Sequence, residues 1–187
     1  MNINECDLSG ELAPVAVFVY NRIKNTKEVL DALKRNELAE RTDVYIFSDA
    51  PKYRHHQEDV MRVRAYVRNL SGFRSVKVVE RQTNYYIEKN VIDGISYVLN
   101  RHDRVIVLED DGVSDRRFLR YANAALIKYA EQMKVMHIAA FTFINPPKSP
   151  NLAFFWRYCE NGGGAGQHGV IGGKNSNTFQ LRLMLIR

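Results

Sequence analysis

Apolar residues along this chain fall into two alternating rhythms. Short runs rich in β-branched and aromatic residues stand at 15–20 (VAVFVY), 44–48 (VYIFS), 76–80 (VKVVE), 105–109 (VIVLE) and 135–141 (VMHIAAF); these read as buried strands. Between them, apolar positions recur at intervals of three or four: Val60, Val63, Val67 and Leu70; then Ile92, Ile95 and Leu99; then Phe118, Ala122, Leu126 and Tyr129. That spacing marks one face of a helix, and core packing accounts for each stripe. A further helix carrying Val29, Leu30 and Leu33 is expected to open at a capping box formed by Asn25 and Glu28.

Strand and helix alternating to a fifth strand predict an α/β fold: a doubly wound, mostly parallel sheet with helices on both faces. Open sheets of this kind bind ligands beyond the carboxyl ends of their strands, where strand order reverses. The expected ends are all polar: Tyr20, Asn21 and Arg22 after the first strand, Ser48 to Pro51 after the second, Glu80 to Asn84 after the third. The fourth ends in three consecutive acids, Glu109, Asp110 and Asp111. Adjacent carboxylates repel one another unless a cation or a hydrogen-bonded ligand offsets them. A single acidic end reads as a solvated turn, but a rim that also carries an arginine and a separate aspartate favours a site.

Composition narrows the classes. A length of 187 residues suits one main domain, and 45% hydrophobic with 26% charged residues suits a folded globular chain. The net charge of +6 is concentrated between Arg54 and Arg74, where Arg62, Arg64 and Arg68 also fall. Such a helix reads as a solvated face, with an anionic partner, a diphosphate or a membrane surface contacted peripherally, as the other reading. Nucleic acid is not expected, because no RNP sequence, zinc-finger spacing or basic heptad accompanies those charges. Cys6 and Cys159 stand far apart, which suits a reducing compartment. No apolar run approaches the roughly 20 residues of a membrane span and the polar opening is unlike a signal peptide, so a cytoplasmic location is expected.

The acidic corner suits a hard divalent cation, Mn²⁺ or Mg²⁺, which prefers carboxylate oxygen and keeps positions for phosphate. Arg22 is a candidate phosphate donor. Asp49 either caps its turn or accepts hydrogen bonds from a base or ribose, and both readings stay open; Asn84 and Lys89 are further rim candidates. Other nucleotide motifs do not fit. The first strand lacks the G-x-G-x-x-G and P-loop patterns, GAGQHG at 164–169 is not followed by a helix pattern, and no nucleophile elbow occurs. The adjacent His55 and His56 read as surface residues.

Taken in order, PVAVFVYNR, VYIFSDAPK, GFRSVKVVERQTN and VIVLEDDGVSDRRFL, across about residues 13 to 145, resemble the metal-dependent GT-A glycosyltransferases. The resemblance is to bacterial family-2-like sugar transferases with kinship to animal N-acetylglucosaminyltransferase I. It implies a domain at 1–145 that binds a nucleotide-diphosphate sugar such as a UDP-sugar, with the acids as a DxD-type motif. By that carry-over Asp111, with Asp110, holds the metal, Asp110 contacts ribose or sugar, and Glu109 supports the loop. Asp49 faces the base, and Tyr20, Asn21 and Arg22 lie near the nucleotide. The implied partners are the sugar donor and an unknown glycan or lipid acceptor. Two departures stand out: Gly112 where a bulky aliphatic is usual, and Asn84-Tyr85-Tyr86 where an Asn-x-Gly turn is usual.

Residues 146–187 read as an irregular tail in place of the acceptor-binding part. Asn161 followed by three glycines can be encoded so that a one-base shift reads Trp-Gly-Trp, the family's segment near this position, so a truncated or frameshifted frame is expected. A noncatalytic nucleotide-sugar-binding remnant and a sugar-phosphate nucleotidyltransferase are the alternatives to transfer. The catalytic base is not identified.

Overall fold

The computed structural model describes residues 6–132, 135, 137–139 and 169–171. Four parallel strands form the centre: β1 (Val15–Val19), β2 (Asp43–Ser48), β3 (Ser75–Glu80) and β4 (Val105–Glu109). Helices α1 (Ile23–Lys34), α2 (Gln57–Arg68) and α3 (Tyr86–Leu99) make the three crossovers, and α4 (Phe118–Lys128) follows β4. Two short strands, β5 (His137–Ala139) and β6 (Gly169–Ile171), extend the sheet to the order β3-β2-β1-β4-β6-β5, with β6 antiparallel to both neighbours. The fold class is therefore the one the hydrophobic runs predict.

Alternation along the strands divides the core. Val15, Val17 and Val19 of β1, Val44 and Ile46 of β2, and Ile106 and Leu108 of β4 pack with α1, α2 and α4 on one face. Ala16, Phe18, Phe47, Val105 and Val107 pack with α3 on the other. Every residue of β1 is buried, as expected for a central parallel strand covered on both sides. Gly94 lets α3 lie close to the sheet: a Cβ there would stand 2.5 Å from a ring carbon of Phe18 and 3.0 Å from one of Phe47.

Some details differ from the sequence reading. Helix α1 opens at Ile23 with Arg22 as its unassisted N-cap, so Asn25 lies inside the first turn and forms no capping box. The buried face of α3 is Val91, Ile95, Val98 and Leu99, whereas Ile92 is 37% exposed; a three-residue step from Ile95 reaches the wrong side once Gly94 sets the contact line. The strand expected over 135–141 is observed at His137–Ala139. Apart from Gly169–Ile171, the tail at 146–187 lies outside the described residues, and so does Cys159; Cys6 is a buried free thiol.

The basic stretch is largely consumed within the fold. Arg62 pairs with Glu58 and Asp59 along α2, Arg68 with Glu80 at 2.6 Å, and Arg74 with Asp43. Arg64 instead reaches the strand ends, donating to the carbonyls of Arg81 at 2.8 Å and Asp49 at 3.3 Å. No described helix is long and apolar enough to cross a membrane.

Gly94→Ala should overpack the α3 face against two aromatic rings and cost about 1–3 kcal/mol in urea unfolding. Hydrogen bonds from Arg74, and then from the Ser75 hydroxyl, hold Asp43 below its ordinary range, and Arg68 does the same for Glu80. A carboxyl depressed by folding contributes stability above its unfolded pKa and loses it as pH falls through the folded one. The thermal midpoint should therefore drop below about pH 4, and Asp43→Asn should make that drop shallower; an unchanged slope would count against the assignment.

Candidate functional site

The chain runs outward from β1 through β2 to β3, then returns to place β4 on the other side of β1, so strand order reverses between β1 and β4. Their register sets Phe18 beside Glu109. The residues after the two strands consequently lie side by side at the position where open α/β sheets bind ligands. Arg22 meets Asp110 there through two nitrogens: Nη2 pairs with one carboxylate oxygen, and Nε donates to the other at 3.3 Å. The same Nη2 lies 3.6 Å from Asp111. A turn closed by the Gly112 N–H on the Glu109 carbonyl, at 3.4 Å, holds the acids in place.

These charges perturb one another. Burial raises the pKa of Asp110, whose side chain is 7% exposed, against the opposing pull of Arg22. Burial also raises Glu109, with Asp111 and Asp110 adding to the effect. Arg22 is pushed up, chiefly by its hydrogen bond to Asp110. Proton affinity at this corner thus reports carboxylates crowded where water is scarce, with one cation set against them.

The donor chemistry fits a hard divalent cation. Asp110 and Asp111 already converge on a single positive centre, the Arg22 guanidinium, which acts as a stand-in ion. Among the described residues no three His, Cys, Asp or Glu side chains form a metal-binding group. Mg²⁺-type sites commonly use only one or two carboxylates and complete their shell with water and phosphate.

Asp49 follows β2 and is held by the backbone around it. Its N–H donates to the Val19 carbonyl at 3.2 Å. Oδ1 accepts from the N–H groups of Ala50 at 2.9 Å and Tyr85 at 2.8 Å. One oxygen thus caps two loops, while Oδ2 takes no hydrogen bond among the described residues. The two readings left open for Asp49 are compatible, one for each oxygen.

Between these groups lies a cavity of about 290 Å³, near the lower end for small-molecule sites. Tyr20, Arg22, Asp49, Glu109 and Asp110 line it, with Asn84 among the lesser rim candidates. Asp111 stands just outside, against Arg22. Asn21 and Lys89 are not part of the wall; the Lys89 ammonium instead sits 4.0 Å from the Tyr85 ring centroid.

Several lining residues were not anticipated: Phe18, Lys52, His56, Tyr86 and Asn90. His56, expected at the surface, is half-buried and shares a 2.7 Å hydrogen bond between its Nδ1 and the Tyr20 hydroxyl. That hydroxyl also accepts from the Lys52 N–H at 2.8 Å. Asn90 is 4% exposed, with its Oδ1 held by Arg81 Nε at 2.9 Å. Arg81 itself lies between the Phe47 and Tyr85 rings and pairs with Asp93. Of these, His56, through its neighbouring histidine, and Tyr86, through the Asn84-Tyr85-Tyr86 departure, gave a signal in the sequence. Tyr86 has φ 59°, a left-handed conformation that costs a bulky residue on the order of 1–3 kcal/mol.

No protein-family model matches the chain, and no curated protein matches it. Among solved structures, S. aureus TarS is similar, with 20% identity and a TM-score of 0.48, over 64% of this chain and 20% of that one. A structure of TarS 1-349 in complex with UDP-GlcNAc has the same identity and score, over 64% and 32%. The mannosyltransferase PcManGT from Pyrobaculum calidifontis, in complex with GDP-Man and Mn²⁺, gives 16% identity and a TM-score of 0.43 over 72% and 39%. The matched region is thus well under half the length of each of these structures.

Arg22→Met leaves the buried Asp110 carboxylate without its partner and should cost about 1–3 kcal/mol in urea unfolding. Added Mn²⁺ should recover more of that loss than it adds to the wild type, since it can take the place of the missing cation. Equal Mn²⁺ effects on both proteins would contradict the stand-in role of the guanidinium.

Proposed function

We propose that this chain carries the donor-binding part of a glycosyltransferase of GT-A type, which takes a sugar from a nucleotide-diphosphate sugar with the help of Mn²⁺ or Mg²⁺. The observation that supports it most is the meeting of Arg22, Asp110 and Asp111 at the strand-order reversal, beside a cavity that Asp49 also lines. Cationic and carboxylate groups adjoin there, as a diphosphate and its counter-ion require.

In this reading Asp110 and Asp111 would hold the cation, which when bound supplies positive charge to offset the departing diphosphate. With its place at Asp110 taken, the half-exposed Arg22 is free to donate two parallel hydrogen bonds to phosphate oxygens. Asp49 Oδ2 accepts from an N–H of the base or from a ribose hydroxyl. Phe18 and Tyr20 exclude water from one wall.

Transfer forms a bond from an acceptor hydroxyl oxygen to the anomeric carbon. The bond from that carbon to the diphosphate breaks, its electron pair leaving with the nucleoside diphosphate, and the hydroxyl proton passes to a base. The described residues carry the donor's side of this chemistry; the acceptor, a glycan or lipid, is not assigned.

Thermal denaturation with a panel of nucleoside diphosphates, with and without Mn²⁺, tests the proposal. A ligand at about 100 times its Kd adds about 2.7 kcal/mol, which for a chain of this size raises the midpoint by roughly 5–10 °C. At least one nucleoside diphosphate should do so with Mn²⁺, and Asp110→Asn should abolish most of the shift. No shift across the panel would overturn the reading. Binding without any donor hydrolysis or transfer would favour the noncatalytic alternative, and pyrophosphate release from a nucleoside triphosphate plus sugar phosphate would favour the nucleotidyltransferase.

A further inference from the structure

Tyr86 pairs two properties that packing alone does not require together. Its backbone is left-handed, at φ 59°, where glycine or asparagine sits with little strain and an aromatic residue does not. The turn is imposed by its neighbours: the Asp49 carboxylate accepts from the Tyr85 N–H at 2.8 Å, and Asn84 Oδ1 accepts from the Tyr86 N–H at 3.2 Å. Glycine at 86 would keep both bonds and relieve the backbone. What glycine would remove is the ring.

That ring is 59% exposed and lines the cavity, so it contributes little to the core. The Lys52 ammonium stands 4.8 Å from its centroid and 5.1 Å from that of Tyr53, which is 49% exposed. A cation shared by two rings from different segments favours this placement of the rings, which lowers the entropy cost of binding. A solvent-facing aromatic surface on a cavity wall, retained at a strained position, points to a flat ligand group.

We propose that Tyr86 is a binding residue whose ring is a stacking platform for the heteroaromatic base of the ligand. This rests on the reading of the cavity as a nucleotide site. Aromatic faces stack on bases with little dependence on base identity, so Tyr86 supplies affinity for the nucleoside end, and hydrogen-bonding groups such as Asp49 are left to discriminate among bases.

Calorimetry on the full chain with Mn²⁺ separates the two parts of the ligand, using UDP and GDP as base-bearing probes and inorganic pyrophosphate as the base-free one. Tyr86→Gly should melt at or above the wild-type temperature, bind UDP or GDP roughly tenfold or more weakly, and bind pyrophosphate unchanged. Tyr86→Phe should bind as the wild type does. Tyr86→Asn, which tolerates the left-handed turn, should reproduce the selective loss if glycine loosens the loop. Wild-type affinity for UDP and GDP in both non-aromatic variants overturns the stacking role alone, as does an equal loss for pyrophosphate. Failure of the wild type to bind either nucleotide overturns the nucleotide reading and this inference with it.

Discussion

Arg22 and Asp110 join the carboxyl ends of β1 and β4, and the candidate site is organised around that ion pair. A carboxylate on a side chain only 7% exposed cannot readily stay ionised beside Glu109 and Asp111 without a nearby positive charge. The parallel pairing of β1 with β4 brings that charge from a position 88 residues earlier in the chain. Three acids in sequence are therefore tolerable because topology, not local structure, supplies the cation. Half-exposed to solvent, the guanidinium balances the acids.

The opposite wall is arranged by arginines that never enter the cavity. Arg64 projects from α2 to the carbonyls of Asp49 and Arg81, joining the ends of β2 and β3. Arg81 then runs under α3 to Asn90 and Asp93, between two aromatic rings. Through these contacts Asp49 keeps one oxygen on two backbone N–H groups, with the other unengaged among the described residues. Part of the excess positive charge thus acts as internal scaffolding through Arg64 and Arg81, while Arg62 and Arg68, with side chains 59% and 51% exposed, keep the solvated face that the sequence suggests.

The central strands were legible because parallel strands covered on both faces must be continuously apolar, a demand that VAVFV and VIVL meet without interruption; β3, expected to be buried, lies at the sheet edge with no buried residue. The acidic corner was legible because like charges in a row are costly. Helix α1 was misjudged at its start because Asn25 and Glu28 have capping-box spacing, yet the chain turns directly out of β1 at Arg22. Arg64, Arg81 and His56 were missed since their partners lie on other elements, and nothing local distinguishes such residues from solvated ones. Tyr86 lay between these cases: Asn84-Tyr85-Tyr86 stood out against an expected Asn-x-Gly turn, but only the backbone torsion reveals that tyrosine holds a conformation suited to glycine.

A crystal structure of the chain grown with a nucleoside diphosphate and Mn²⁺ tests the central claim most directly. The expected density has the metal on Asp110 and Asp111, the diphosphate within reach of Arg22, and the nucleoside between Asp49 and Tyr86. Density for metal and diphosphate elsewhere, with Arg22 still locked on Asp110 and the cavity holding only water, would contradict it.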